Sequence, residues 1–409
     1  MRKRLLLITN GFPYGNSERS FLLTEYNDLL KDFDVHTLAL SWQPILDEQV
    51  DLMNAQWLLL ERPSVVDALL QAGKPAVIRE MWSARQLCGR NAYLKRLKAI
   101  AAYSARTALI EDKVAELCEA NAIDIIYTYW CTYATLAAVR LKKRFPNIKI
   151  ITRFHGYDLY DERTPENWQP FRNEIAKGCD KLCFACESGM RYFLHRWGQV
   201  WEKKSFVSYL GCRRMTRVNQ NNLQRLSLVS CSNMIPLKRI DYIIKALAAL
   251  PPEIQVDWHH FGDGPERARL EKVAETALGK RENLSYHFWG QVDHAKLNQI
   301  YQDIGAQLFI TTSSTEGVPV TIQEALGMGI PAIGTAVGGI PELVIDNRTG
   351  YLLPADPTVE QVAHAIISYW RASKEEKRKM SDLAYACWHS VCDAEKNAQR
   401  FIRILKTIE

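Results

Sequence analysis

Two carboxylates eight positions apart, Glu316 and Glu324, lie in the stretch FITTSSTEGVPVTIQEALGMGIPAIGTAVGGIPELV, which reads as strand, loop, helix, strand and glycine-rich loop. Carboxylates only accept hydrogen bonds, so they suit sugar or ribose hydroxyls and make poor phosphate ligands. Between them, Pro319 fits the first turn of a helix because it has no N–H to leave orphaned. The amides of Val320 and Thr321 beside it, in the same loop region as Gly317 and Val318, would face an anion such as a diphosphate. Gly338 and Gly339, ahead of Pro341 and Glu342, would let backbone approach a ligand from the neighbouring strand end. Taken singly, Glu324 also fits a solvated helix position and the glycines fit plain turns.

The elements that must position these groups alternate along the chain. Short β-rich runs (RLLLITN, VHTLALS, IDIIYTYW, KIITRFH, KLCFACE, then LSLVSCS, QVDWHHFG, LSYHFWG, AQLFITT, PAIGTA) are separated by helical patterns. This predicts an α/β fold with two parallel sheets covered by helices, with ligands at the carboxyl ends of the strands. At 409 residues, two domains are expected. The polar segment RRMTRVNQNNLQR places the linker near 213–226, giving domains 1–213 and 226–375. Residues 376–409 read as helices whose stripe of Phe401, Leu405 and Ile408 packs back on the first domain.

Composition narrows the function classes. The chain is 47% hydrophobic and 24% charged with a net charge of +6, too mild to argue for nucleic acid. No run approaches the roughly 18 apolar residues of a membrane span, and the opening MRKRLLLITN reads as a first strand rather than a signal peptide. Ten unpaired-looking cysteines favour a cytoplasmic location. Cys179, Cys183 and Cys186 fall in a strand-like segment whose side chains alternate faces, so no zinc site is expected. Asp32 and Asp34 fit a solvated turn better than a metal site. No G-x-G-x-x-G follows the first strand, which disfavours a dinucleotide oxidoreductase.

With these motifs in order, the chain resembles the family-four retaining glycosyltransferases of GT-B architecture. The signature Glu, seven residues, Glu is Glu316 to Glu324, SCSNMIPLKRIDYIIKAL matches the loop that presents basic residues to the donor diphosphate, and HHFGDGPERARLE matches a turn at Gly262. In the first half, TNGFPYGNSERSFLLTE and RFHGYDLYDE look like bacterial members that build exopolysaccharide or lipopolysaccharide. The resemblance implies two Rossmann-like domains facing across a cleft, with a C-terminal helix returning to the first. It implies a donor sugar at Glu316, a ribose at Glu324, a diphosphate at Lys238 and a histidine near the reacting sugar at His155. Gly15 and Asn16 would approach the donor or acceptor through backbone amides. Arg153 and Asp158 are weaker candidates. An arginine expected five residues before Lys238 is Asn233 here. Lys238 alone would also fit a solvated helix position, and His155 a buried structural histidine.

The implied mechanism is front-face attack, with the leaving diphosphate stabilised by Lys238 and amides. No metal or other cofactor is implied, and the partners are a nucleotide-sugar donor and a glycan or lipid-linked acceptor. The basic stretch from Arg79 to Arg106 fits either a helix lying on an anionic membrane surface, hence peripheral contact at its inner face, or an ordinary solvated helix. A GT-B nucleotide-sugar epimerase or phosphorylase, or a non-catalytic scaffold of a polysaccharide-assembly complex, are the alternative readings.

Overall fold

The computed structural model describes residues 2–14, 18–41, 54–60, 62–85, 90–218 and 225–408. The chain divides into two compact units, Met1–Leu210 with Ala398–Glu409, and Gly211–Asn397.

The first unit holds strands β1 (Arg4–Thr9), β2 (Asp34–Ala39), β3 (Ala55–Trp57), β4 (Ile125–Thr128), β5 (Lys149–Phe154), β6 (Lys181–Phe184) and β7 (Ser205–Val207), in the order β3-β2-β1-β4-β5-β6-β7. All neighbours are parallel. Parallel strands covered on both faces must be apolar throughout, and β1 is (RLLLIT). Successive side chains feed opposite cores: Leu6 and Ile8 join Ile126 and Ile150 on one face, while Leu5 and Leu7 join Ile125, Tyr127 and Ile151 on the other. The short strands β3 and β7 are absent from the sequence reading because three residues carry no usable period.

Phe401, Ile402, Leu405 and Ile408 are buried in the second of these cores, so the end of the last helix, Ala394–Lys406, belongs to the first unit from Ala398 onward. The rest of 376–409 departs from expectation. Helix Lys374–Cys387 and the turn after it stay with the second unit, where Ala384, Cys387 and Trp388 pack with Ile322 and Leu326. An amphipathic stripe shows that a helix has a buried face but not which core receives it. The basic stretch from Arg79 is likewise two helices, Pro75–Arg85 and Arg90–Asn121, and within it Arg96 is buried, donating to the carbonyls of Ala84, Glu166 and Asn167.

The second unit holds β8 (Leu226–Cys231), β9 (Val256–Phe261), β10 (Leu284–Gly290), β11 (Leu308–Ile310), β12 (Ala332–Thr335) and β13 (Gly350–Leu353), all parallel, in the order β10-β9-β8-β11-β12-β13. In both sheets the order reverses direction next to the first strand, at β1/β4 and β8/β11, the switch points where loops splay apart and leave room for a ligand.

On β8 and β9, Trp258 Nε1 donates to Ser230 Oγ (2.9 Å), which lies 2.8 Å from Nδ1 of the buried His260. Burial pushes the His260 imidazole down from 6.5 to about 4. Above pH 6.5 neither the folded nor the unfolded chain protonates this group, so it leaves stability unchanged there. Between pH 6.5 and 4 the unfolded chain binds the proton first, and stability falls by on the order of 3 kcal/mol. We therefore expect the melting temperature to drop over that interval, and a His260→Phe variant to show a flatter profile. Parallel profiles for the two proteins would refute this.

Candidate active site

In the second unit the functional candidates gather where β8, β11 and β12 end. After β8 the chain makes a single tight turn, Pro236–Lys238, and Arg239 follows in the left-handed region (φ 47°). Arg239 then ties this turn to the loop after β11, donating to the carbonyls of Thr312 (2.7 Å) and Ser313 (3.1 Å), while the Ser314 amide donates to Leu237 O (2.8 Å). The two loops are thus held as one rigid piece. Lys238 Nζ lies 2.5 Å from Glu316 Oε1, and both side chains are only partly exposed. Arg239 was not anticipated from sequence; an arginine beside a lysine reads as surface charge until its guanidinium is seen on main-chain carbonyls.

Gly338 stands against the Glu316 backbone: at φ 53° a Cβ there would come 2.0 Å from Glu316 O, and the Gly339 amide donates to Gly317 O (2.6 Å). Gly262, at φ 129°, packs equally closely on Ser232 O, beside the exposed Asn233. Both positions need glycine because of close backbone approach as well as positive φ. The helix that follows, Val320–Gly327, has Pro319 as its N-cap, one residue earlier than the first-turn position expected, and no side chain caps it. The Val320 and Thr321 amides, next to Gly317 and Val318, are therefore helix-end donors without a side-chain acceptor.

Glu324 lies on the buried face of that helix, 2% exposed, and does not occupy a solvated position. Burial, and after it the Glu324 charge, pushes the Cys231 and Cys212 thiols up to about 12. Glu324 thus faces inward, toward the end of β8, and Glu316 is paired with Lys238.

In the first unit, His155 follows β5. Its ring packs on Trp130 (centroids 4.1 Å apart) and Tyr129 (4.8 Å), and its amide donates to Asp158 Oδ1 (2.9 Å). Among the described residues, both ring nitrogens are buried without a hydrogen-bond partner, and the nearest carboxylate, Asp158 Oδ2, is 3.8 Å from Nδ1. A buried imidazole held by stacking, with its polar atoms unsatisfied, is suited to meet a ligand hydroxyl. The residue that orders this region is Glu18, which the sequence reading did not single out. Its carboxylate accepts from the amides of Asn10 (3.0 Å), Gly11 (2.7 Å) and Phe12 (2.7 Å) and from Trp130 Nε1. Gly15 and Asn16 lie outside the described residues.

Asp158 is a positioning residue, its second oxygen taking the Cys131 amide (2.9 Å). Arg153 is fully buried and bonded to Glu25, so it belongs to the core and not to the site. Cys183 is buried within β6, and Cys186 caps helix Glu187–Trp197 by accepting from the Gly189 amide. Among the described residues no group of three or more His, Cys, Asp or Glu could hold a metal ion.

Comparison with known proteins bears on this geometry. Residues 213–386 match the family "Glycosyl transferases group 1". The GtfA subunit of a UDP-N-acetylglucosamine–peptide N-acetylglucosaminyltransferase from Streptococcus gordonii is 31% identical over 53% of this chain and 44% of its own length. The putative colanic acid biosynthesis glycosyltransferase WcaL of Escherichia coli (strain K12) is 27% identical over 50% of this chain and 52% of its own. The chain therefore spans about half the length of these curated relatives. The apo lipopolysaccharide outer core galactosyltransferase WaaB superposes with a TM-score of 0.68 over 99% of both chains at 12% identity, a likeness of fold. The two parallel-sheet Rossmann-like units are thus those of the GT-B fold, and residues 213–386 are similar in sequence to the group 1 glycosyl transferases.

Proposed function

We propose that this protein is a retaining, metal-independent glycosyltransferase that moves a sugar from a nucleotide-sugar donor to a glycan or lipid-linked acceptor in bacterial surface-polysaccharide synthesis. The observation that carries this reading is the Lys238–Glu316 contact (2.5 Å) at the strand ends, next to a helix N-terminus with no side-chain cap. There a cation and free amides can receive a diphosphate while a carboxylate receives sugar hydroxyls. On this reading, the acceptor oxygen bonds to the anomeric carbon as the bond to the diphosphate breaks, and the acceptor proton passes to the leaving diphosphate. Lys238 and the Val320 and Thr321 amides stabilise the charge that develops, so a divalent ion has no assigned role. Glu324 binds the ribose and His155 lies by the sugar. Names among the relatives, which include colanic acid synthesis, support the surface-polysaccharide assignment.

We place the protein in the cytoplasm, in peripheral contact with the inner membrane face. Val65, Val66, Leu69, Leu70, Ile78 and Trp82 are exposed on helices Val65–Ala72 and Pro75–Arg85, among the exposed Lys74, Arg79 and Arg85. No helix among the described residues is long and apolar enough to cross a membrane. The test is a panel of UDP-, GDP- and ADP-sugars, scored for donor hydrolysis and transfer with and without EDTA, and with phosphatidylglycerol vesicles added. One donor should be turned over in EDTA and the protein should sediment with the vesicles. Activity lost in EDTA and restored by manganese would remove the metal-independent mechanism; donor isomerisation without transfer would remove the transferase.

A further inference from the structure

The first unit contains a cavity of about 430 Å³ that none of the groups above requires. It opens at the carboxyl ends of β4 and β5, and its volume is within the usual range for small-molecule sites. Tyr157, on its wall, stacks on Trp130 (4.8 Å), the same indole that packs on His155, so the cavity adjoins the imidazole. The guanidinium of Arg163, also on the wall, lies against Gly156, the residue after His155.

The cavity is unusual in its cations. Arg172 is 1% exposed, yet among the described residues no carboxylate lies within 4.0 Å of its nitrogens. Its Nη2 donates to the carbonyls of Cys131 (2.9 Å) and Asp158 (2.6 Å) and to Gln169 Oε1 (2.7 Å), its Nη1 makes longer bonds to Tyr103 OH (3.4 Å) and Pro170 O (3.5 Å), and its Nε is buried with no acceptor among the described residues. Asp158 and Glu80 act on this guanidinium electrostatically without touching it, so an anion entering the cavity would add the direct contact that these carboxylates do not make. Arg106, on the same wall, makes no hydrogen bond or ion pair among the described residues and stands 5.6 Å over the Tyr133 ring. Two carboxylates also line the space. Asp158 spends its oxygens on the amides of Cys131 and His155, and Glu166 is only partly buried.

We propose that this cavity binds an anionic group of the acceptor, a carboxylate or a phosphate monoester carried on a molecule of about monosaccharide size, held by Arg106 and Arg172. The proposal rests on the transferase reading and gives its acceptor a chemical class. Planar, forked guanidiniums match both oxyanions, and Tyr133 and Tyr157 supply flat faces for a sugar ring.

The test is calorimetric titration of the full chain, without nucleotide, by methyl glucuronide, glucose 6-phosphate and the uncharged methyl glucoside. At least one charged probe should bind tenfold or more tightly than the neutral one, and which of the two binds identifies the anion. Arg106→Ala, which removes a guanidinium that makes no hydrogen bond or ion pair among the described residues, should weaken that probe at least tenfold, and Arg172→Lys should do the same if folded by circular dichroism. Equal binding of charged and neutral probes, no binding of any probe, or an Arg106→Ala protein indistinguishable from wild type would each overturn the proposal. A parallel titration with UDP and GDP separates it from the donor reading: probe binding without any nucleotide binding leaves this site standing and removes the nucleotide-sugar assignment.

Discussion

Lys238→Ala is expected to lower the turnover number for sugar transfer by about 10²–10³-fold, the cost typical of removing one preorganised donor aimed at developing charge. In the free protein Lys238 is held 2.5 Å from Glu316, so it is already placed before a donor arrives. A diphosphate gains negative charge as the glycosidic bond breaks, and a cation fixed beside it stabilises the transition state more than the bound donor. Affinity for the free nucleoside diphosphate should therefore fall less than turnover. Glu324→Ala should show the opposite split, since the charge-assisted bonds to ribose hydroxyls proposed for it would exist equally before and during transfer. A loss of roughly ten- to a hundredfold in nucleotide affinity with little change in turnover is expected there. His155→Ala should depress turnover and leave nucleotide affinity unchanged. Calorimetry with the nucleoside diphosphate, set beside steady-state kinetics for all three variants, is the measurement. If Lys238→Ala turns over as wild type, the diphosphate contact assigned to it is wrong.

Glu25→Ala should destabilise the first unit by about 3–5 kcal/mol, the cost of leaving one member of a buried ion pair alone. Arg153 is fully buried and its Nη2 donates to Glu25 Oε2 at 2.7 Å, while Tyr127 OH donates to the other oxygen at 2.9 Å. Phe401 from the last helix lies 4.5 Å from the guanidinium carbon. Arginine cannot shed its proton, so alanine at 25 strands a charge inside the core that the last helix closes. For a unit of this size each kcal/mol corresponds to roughly 2–4 °C in melting temperature, which thermal denaturation resolves easily. The double variant Glu25→Leu with Arg153→Met removes both charges and should recover most of the loss. A single variant that melts within a degree or two of wild type would show that the pair is not what holds this core.

The amino-acid sequence by itself determined the alternation of strands and helices, the position of the strand ends in the second unit, and the pairing of Glu316 with a glycine-rich, proline-led helix start. Each of these follows from local chemistry: apolar runs make buried parallel strands, and Pro and Gly restrict the backbone within a few residues of themselves. Tertiary structure decided what depends on groups distant in sequence. Glu18 became the anchor of the β1 loop only because Trp130, 112 positions away, comes to its carboxylate. Arg153 looked like a site residue two positions before His155, but it lies inside β5, and its side chain is enclosed in the core, where it meets Glu25. The helices after Ser373 were legible as helices, yet which unit each one packs against was settled by which hydrophobic face each core left open. A side chain's type shows which bonds it can make, and the fold determines which partner comes within about 3 Å of it.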